Sequence, residues 1–177
     1  TVNVDNSKLG SLAAEIFLSH GKKNPAAITS EPVFSDMDLR IESFFYSFRK
    51  ANISKRTVIY QENSMKGGYR AAKQLAESGE LPDCLFCASD ALAIGALKAF
   101  NQCGIRVPED IELISVGNGE QELEEYASSA LSVVYVPMEE MASFCFRILL
   151  DVISGKVHPP YSVIFPVKYI PRESAGA

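Results

Sequence analysis

The sequence predicts an α/β fold: a Rossmann-like parallel sheet with helices on both of its faces. Short apolar segments alternate with longer amphipathic segments along much of the chain, and the connections between them are short. The apolar segments, such as 26–28 and 58–60, are hydrophobic throughout, as expected of strands that are covered on both sides. With 177 residues and 47% hydrophobic composition, the chain is long enough to bury such a core.

Each element is predicted from the spacing of its apolar residues and from the residues that end it. Helices are expected where apolar residues recur every three or four positions, and Gly21, Gly104 and Gly155 mark helix ends. The predicted helices are Ser7–His20, Asp36–Ala51, Met65–Ser78, Asp90–Cys103 and Met138–Ser154. The predicted strands are Ala26–Thr29, Thr57–Tyr60, Cys84–Ala88, Glu112–Val116, Leu131–Val136 and Ser162–Ile170, with at best a short acidic helix at Glu120–Tyr126.

Charge and cysteine content narrow the classes of function. A net charge of -5 argues against nucleic-acid binding by this segment itself, because that function needs a basic surface. The four cysteines are Cys84, Cys87, Cys103 and Cys145. A strand would send Cys84 and Cys87 to opposite faces, and no nearby histidine completes a zinc site. We therefore expect buried free thiols, no metal and no cofactor, which suits a reducing cytoplasm.

The sequence offers no catalytic constellation, and we expect no enzyme activity. His20 and His158 lack an acid or nucleophile partner that spacing would suggest, and no glycine-rich phosphate loop is present. Glu124 and Glu125 are expected to form a solvated face. No apolar stretch reaches the ~18 residues of a membrane helix, and no secretion leader opens the chain. Since the first residue is Thr1, we expect a fragment of a longer cytoplasmic protein without membrane contact.

Four segments, in order, resemble the LacI/GalR family of transcriptional regulators across essentially the whole chain. They are Asp5-Asn6 with Gly10, the run from Ala88 through V-P-E-D-I to Gly117, Leu131–Pro137 ahead of a helix, and Tyr169-Ile170 with Arg172 and Ser174. Each segment alone is weak, but the run from Ala88 to Gly117 is specific. Most residues of that run are expected to build a strand–helix–strand unit.

The resemblance implies a two-lobed, periplasmic-binding-protein-like architecture. Residues 1–136 would form the C-terminal lobe, 137–160 a helix of the N-terminal lobe, and 161–177 a strand and tail returning to the C-terminal lobe. The implied function is effector binding and dimerisation in a repressor that senses a sugar or similar metabolite and controls operator binding allosterically. DNA would be bound only through a helix-turn-helix that is missing from this chain. A periplasmic sugar-binding component of a transporter and an α/β enzyme lobe are the alternatives.

The effector site is predicted at the carboxyl ends of the strands, where open α/β sheets bind ligands. The resemblance assigns ligand binding to Arg40, whose planar guanidinium suits hydroxyls or a carboxylate. Ser89 and Asp90 stand where the family usually has Asn-Asp, and Asn63 stands where relatives commonly have a stacking aromatic. Gly119 occupies the position of the family's acid, so either Asn118 or Glu120 replaces that acid or the effector differs from the common sugars. Each residue also has a purely structural alternative. Arg40 could pair with Asp36 or Asp38, and Asp90 could cap a helix. Phe34 and Phe44 could form an aromatic wall of the site, but Phe44 is expected to pack in the core.

A homodimer is expected, because coupling of this kind needs two subunits. The predicted interface is formed by helices Met65–Ser78 and Asp90–Cys103, which offer small and apolar residues: Ala71, Ala72, Leu75, Leu92 and Ala96. Helix Met138–Ser154 carries a wide apolar stripe, and we expect it to pack against a second copy or against the chain's own surface.

Overall fold

The structure, a computed structural model, describes residues 1–31, 35–117, 124–158 and 160–176, without the side chains of residues 35–38. Its strands are β1 (Val2–Val4), β2 (Pro25–Thr29), β3 (Thr57–Tyr60), β4 (Cys84–Cys87), β5 (Glu112–Gly117), β6 (Ser132–Tyr135), β7 (Val163–Phe165) and β8 (Lys168–Ile170). Six of them form the main sheet, in the order β3-β2-β4-β5-β6-β8. Strands β2 to β6 pair in parallel, and β8 pairs antiparallel with β6. The predicted parallel α/β fold is confirmed.

The helices are α1 (Asn6–Ser19), α2 (Ser35–Lys50), α3 (Met65–Glu77), α4 (Asp90–Gln102) and α5 (Met138–Ile153), each within one or two residues of its predicted bounds. The first four cover both faces of the main sheet. On one face, α1 and α2 bury an aromatic cluster in which Phe44 stacks on Phe86 of β4 with ring centroids 5.1 Å apart. Phe44 therefore packs in the core. On the other face, α3 and α4 pack on a second core cluster that contains Leu75 and Phe100.

Two glycines allow α3 and α4 to lie in direct backbone contact. A Cβ atom on Gly68 would lie 2.0 Å from the carbonyl oxygen of Leu92, and one on Gly95 would lie 1.9 Å from that of Met65. The small and apolar residues of both helices are buried in the contact between α3 and α4 and against the main sheet. The predicted dimer interface is wrong in its residues, because those it named are buried within one chain: Ala71, Ala72, Leu75, Leu92 and Ala96.

The cysteines divide into a buried pair and an exposed pair. Cys84 and Cys87 are buried free thiols that belong to the core clusters on opposite faces of the sheet, as the strand periodicity predicted. Burial raises the pKa of both thiols, and the nearby carboxylates of Asp83 and Asp90 raise it further. Cys103 and Cys145 are also free but are exposed, so the expectation of burial is wrong for these two.

A second, two-stranded sheet was not foreseen. Strand β1 pairs in parallel with β7, from Val2 against Val163 to Val4 against Phe165. The predicted single strand Ser162–Ile170 is wrong, because the chain leaves the small sheet at Pro166 and enters the main sheet as β8. Proline has no N–H group to donate, so it cannot continue a ladder of backbone hydrogen bonds.

Helix α5 packs on the small sheet with one side only. Its Phe144 ring lies 5.4 Å from that of Phe165, centroid to centroid. None of its residues is buried, and Phe146, Leu149 and Ile153 are 65%, 56% and 74% exposed. The apolar stripe predicted for this helix is therefore present, and most of it is uncovered in a single chain.

The V-P-E-D-I run forms the turn between α4 and β5. Arg106 donates hydrogen bonds to Asp110 from its backbone N–H and its guanidinium, and these bonds lower the pKa of Asp110 to about 2. The motif therefore has an architectural role here. Among the helices that the structure describes, none is long and apolar enough to cross a membrane.

We expect Gly95→Ala to destabilise the protein by about 1–3 kcal/mol, because the added methyl group would collide with the backbone of α3. Helix propensity alone favours alanine over glycine by about 1 kcal/mol, so a net loss isolates the collision. Urea unfolding followed by circular dichroism measures the effect, with Lys66→Ala at an exposed position of α3 as the control. Equal stability of the two variants would contradict the close approach.

Candidate functional site

Parallel pairing brings the carboxyl ends of four neighbouring strands to one edge of the main sheet. The last residues of β2, β3, β4 and β5 are Thr29, Tyr60, Cys87 and Gly117. We call this rim the carboxyl edge. The polar residues that follow these strands, together with the first turns of α1 and α4, converge there.

Arg40 lies in α2 and links three elements at the carboxyl edge. Its Nε donates to Asn6 Oδ1 at 2.7 Å, and its Nη1 donates to the carbonyl oxygen of Ala88 at 3.3 Å. Burial lowers the pKa of Arg40, although a guanidinium stays charged at neutral pH. Nη2 makes no hydrogen bond to the residues that the structure describes.

Gly10 is the residue that allows Arg40 to reach this position. A Cβ atom at Gly10 would lie 1.9 Å from the carbonyl oxygen of Arg40, so α1 and α2 can approach closely only with glycine there. Asp5 caps α1 by accepting from the N–H of Lys8 at 3.0 Å, which fixes the start of the helix and hence Asn6. The side chains of Asp36 and Asp38, the alternative partners of Arg40, lie outside the described residues.

Ser89 and Asn63 are brought together by the ends of β3 and β4. The hydroxyl of Ser89 donates to Asn63 Oδ1 at 2.5 Å and accepts from the N–H of Leu92 at 3.4 Å. The second contact makes Ser89 the cap of α4. With its oxygen engaged, the amide of Asn63 keeps two N–H donors for other partners.

Asp90 is the first residue of α4 and is not its cap. It is buried, and its Oδ1 accepts from the hydroxyl of Ser115 on β5 at 2.7 Å. The contact ties α4 to the strand beside β4, so the position of Asp90 is set by the sheet. Its negative charge at a helix N-terminus is also favourable for the helix dipole.

The structure thus unites four of the six predicted site residues: Arg40, Asn63, Ser89 and Asp90. Asn118 and Glu120, the other two, lie outside the described residues, as does Phe34. Sequence reasoning did not include Asn6 or Ser115 in the site. The signal for Asn6 was its place in the Asp5-Asn6 segment of the family resemblance, whereas Ser115 offered none, because one serine in an apolar strand is unremarkable.

His20 has an acid partner that its spacing did not suggest. Its Nδ1 lies 2.7 Å from Glu112 Oε2, and Lys22 Nζ lies 3.0 Å from Glu112 Oε1. Glu112 begins β5, so this network lies at the opposite end of the strand from the carboxyl edge, roughly 16 Å away at 3.3 Å per residue. It links α1 to β5 and is separate from the candidate site.

One protein family matches almost the whole chain. Residues 2–175 match the family described as the periplasmic binding protein-like domain. Among curated proteins, the HTH-type transcriptional repressor MelR of Bacillus subtilis (strain 168) is 40% identical over 139 residues, which are 78% of this chain and 39% of the repressor. The match spans 39% of the length of MelR and 51% of the length of the HTH-type transcriptional repressor PurR of Yersinia pestis bv. Antiqua (strain Antiqua).

Solved structures show the same fold. A LacI family transcription regulator from Clostridium acetobutylicum is 34% identical with a TM-score of 0.90, and the match covers 97% of this chain and 64% of that one. A LacI family transcriptional regulator from Enterococcus faecium, solved with bound ribose, is 25% identical with a TM-score of 0.89. That match covers 99% of this chain and 65% of the other.

We expect Ser115→Ala to lower the free energy of unfolding by about 1–3 kcal/mol, because buried Asp90 would lose one of its hydrogen bonds. Thr57→Val on β3 is the control, since it also removes a hydroxyl group but no hydrogen bond that the structure describes. Chemical denaturation of both variants measures the difference. A loss at Ser115 no larger than at Thr57 would show that the contact contributes nothing to stability.

Proposed function

This chain belongs to the periplasmic binding protein-like domain family, and from that membership we propose that it is the effector-binding region of a LacI-type transcriptional regulator. The observation that carries the proposal is the convergence of Arg40, Asn63, Ser89 and Asp90 at the carboxyl edge. Sheets of this kind bind ligands at that edge. The similarity to repressors and LacI-family regulators over nearly the whole chain supports the regulatory role.

The proposed effector is a sugar or a related polyol. The edge offers donors from Arg40 and Asn63 and a serine hydroxyl, which together suit hydroxyl oxygens. Asn118 and Glu120 remain proposed ligand contacts from the sequence. The bound ribose in the Enterococcus faecium regulator supports a sugar for this chain as well.

A regulatory domain is better supported than the alternatives. The named relatives are a transcriptional repressor and two LacI-family regulators, which favours this role over a sugar-binding component of a transporter and over an enzyme. Because a transcriptional repressor must reach DNA, we propose that the protein is cytoplasmic. Effector binding would favour one arrangement of two lobes and so change operator binding.

The lobe boundaries are proposed as the sequence suggested them: 1–136 and 161–177 in the C-terminal lobe, and 137–160 in the N-terminal lobe. The exposed apolar side of α5, with Phe146, Leu149 and Ile153, supports the division, because apolar surface of this extent is normally covered. The small sheet of β1 and β7, on which α5 packs, would belong with it to the lobe junction.

DNA contact is proposed to occur through a helix-turn-helix outside this chain, with two copies of the protein acting together. The proposed dimer surface keeps the predicted helix α4 but lies on its outer side, away from the buried residues named from the sequence. There Tyr126 is 82% exposed beside a groove lined by Ile94, Leu97 and Lys98, with a cavity volume of about 440 Å³. An exposed aromatic next to an apolar groove is typical of an interface anchor, and a second copy could insert its own Tyr126.

We expect Arg40→Ala to weaken sugar binding about 10- to 100-fold, the usual effect of removing a charged hydrogen-bond donor. Arg40→Lys should lose most of the affinity too, because lysine keeps the charge but lacks the planar fork. Isothermal titration of the full-length protein with pentoses, hexoses and disaccharides measures the change. Arg70→Ala, an exposed arginine on α3, is the control; equal binding by all variants would remove Arg40 from the site.

We expect Tyr126→Asp to weaken dimerisation of the full-length protein about tenfold or more, as loss of an aromatic anchor does. Sedimentation velocity over a concentration series measures the dimer constant. Tyr46→Asp is the control, because Tyr46 is 55% exposed on α2, away from the proposed surface. An unchanged dimer in the Tyr126 variant would place the interface elsewhere.

A further inference from the structure

A buried ion pair joins the segment after β5 to the C-terminal tail. Glu124 Oε2 lies 2.9 Å from Arg172 Nη1; the Glu124 side chain is fully buried, and that of Arg172 is 17% exposed. The expected solvated pair is therefore wrong for Glu124 and correct for Glu125, which is exposed. The Glu124 carboxylate turns inward because its partner comes from a distant part of the sequence.

The geometry of this pair is poor for stabilising the fold. Nη1 of Arg172 donates to the carbonyl oxygen of Leu131 at 2.6 Å, and neither carboxylate oxygen of Glu124 accepts a hydrogen bond from the described residues. Burying two charges costs free energy that only well-formed hydrogen bonds offset. Replacing such a pair with apolar side chains of similar size is often neutral or stabilising. The pair is therefore weak evidence for a role in stability.

Gly117 provides the space in which the carboxylate lies. A Cβ atom on Gly117 would be 2.6 Å from Glu124 Oε1 and 2.8 Å from Val133 Cγ2. The Glu124 side chain therefore covers the last residue of β5 at the carboxyl edge. Glu124 is held from its other side too, because its carbonyl oxygen accepts from the N–H of Leu131 at 2.7 Å.

Arg172 is itself fixed by the tail. Its N–H donates to Ser132 Oγ at 2.9 Å, and the Ser132 hydroxyl donates to the Arg172 carbonyl oxygen at 2.8 Å. Ser174 Oγ accepts from the N–H of Ser132 at 2.8 Å and donates to the carbonyl oxygen of Leu113 at 2.6 Å. These hydrogen bonds hold the tail against β5 and β6 and fix the backbone of Arg172, whose side chain extends to Glu124.

We infer that Glu124 and Arg172 are positioning residues: their buried pair fixes the backbone where the chain leaves β5 at the carboxyl edge. Gly117 and Glu124 flank the segment of the chain that carries Asn118 and Glu120. The C-terminal tail thereby influences the effector site, a consequence that rests on the function proposed above. The positioning itself does not depend on that function.

The test is hydrogen exchange on the full-length protein without ligand, comparing wild type with the double variant Glu124→Leu/Arg172→Met. We expect an unchanged or higher melting temperature and about tenfold faster exchange in peptides spanning 117–131. Affinity for D-ribose should fall as well if the wild-type protein binds it. Glu125→Leu is the matched control, because it removes a neighbouring exposed carboxylate, and it should leave exchange unchanged.

The outcomes separate positioning from stability. Unchanged exchange over 117–131 in the stably folded double variant overturns the inference. A lowered melting temperature of the double variant means that the pair stabilises the fold, and this also overturns the inference. The exception is a Glu124→Gln variant, which keeps the side-chain shape, that shows faster exchange over 117–131 with an unchanged melting temperature. If wild type binds no sugar, the proposed function fails, whereas the exchange comparison still decides the role of the pair.

Discussion

The parallel pairing of strands β2 to β6 is the constraint on which the rest of the structure depends. Parallel strands need crossover connections, and the crossovers through α2, α3 and α4 each place a helix over one face of the sheet. Both faces are consequently dry, which requires strands that are apolar throughout. The carboxyl ends of these strands therefore all lie at the carboxyl edge. Polar residues that follow different strands, and are distant in sequence, become neighbours there.

Much of the fold could be predicted, because its signals are local. Helical spacing and glycine stops placed five helices within one or two residues of their observed bounds. The final strand could not be predicted correctly, because both of its halves are apolar and only their pairing partners distinguish them. The residues named for the dimer surface were wrong for a related reason: small apolar residues such as Ala96 fit a helix–helix contact within one chain as well as one between chains.

The site could be predicted where a residue follows directly from a strand end, as Ser89 and Asp90 do. Asn63 and Arg40 came from position in the predicted elements and from family resemblance. Asn6 and Ser115 act through hydrogen bonds to residues far along the chain, and periodicity carries no information about such contacts. The burial of Glu124 could not be predicted for the same reason, because its partner Arg172 lies in the tail, far away in sequence.

Strands β7 and β8 are separated only by Pro166 and Val167, so a two-residue connection joins the small sheet to the main sheet at this point. The pyrrolidine ring of Pro166 fixes one backbone torsion at about -65°, which removes one of the few rotations available there. A rotation of the small sheet would therefore also displace the first residues of β8, which pair with β6 in the main sheet.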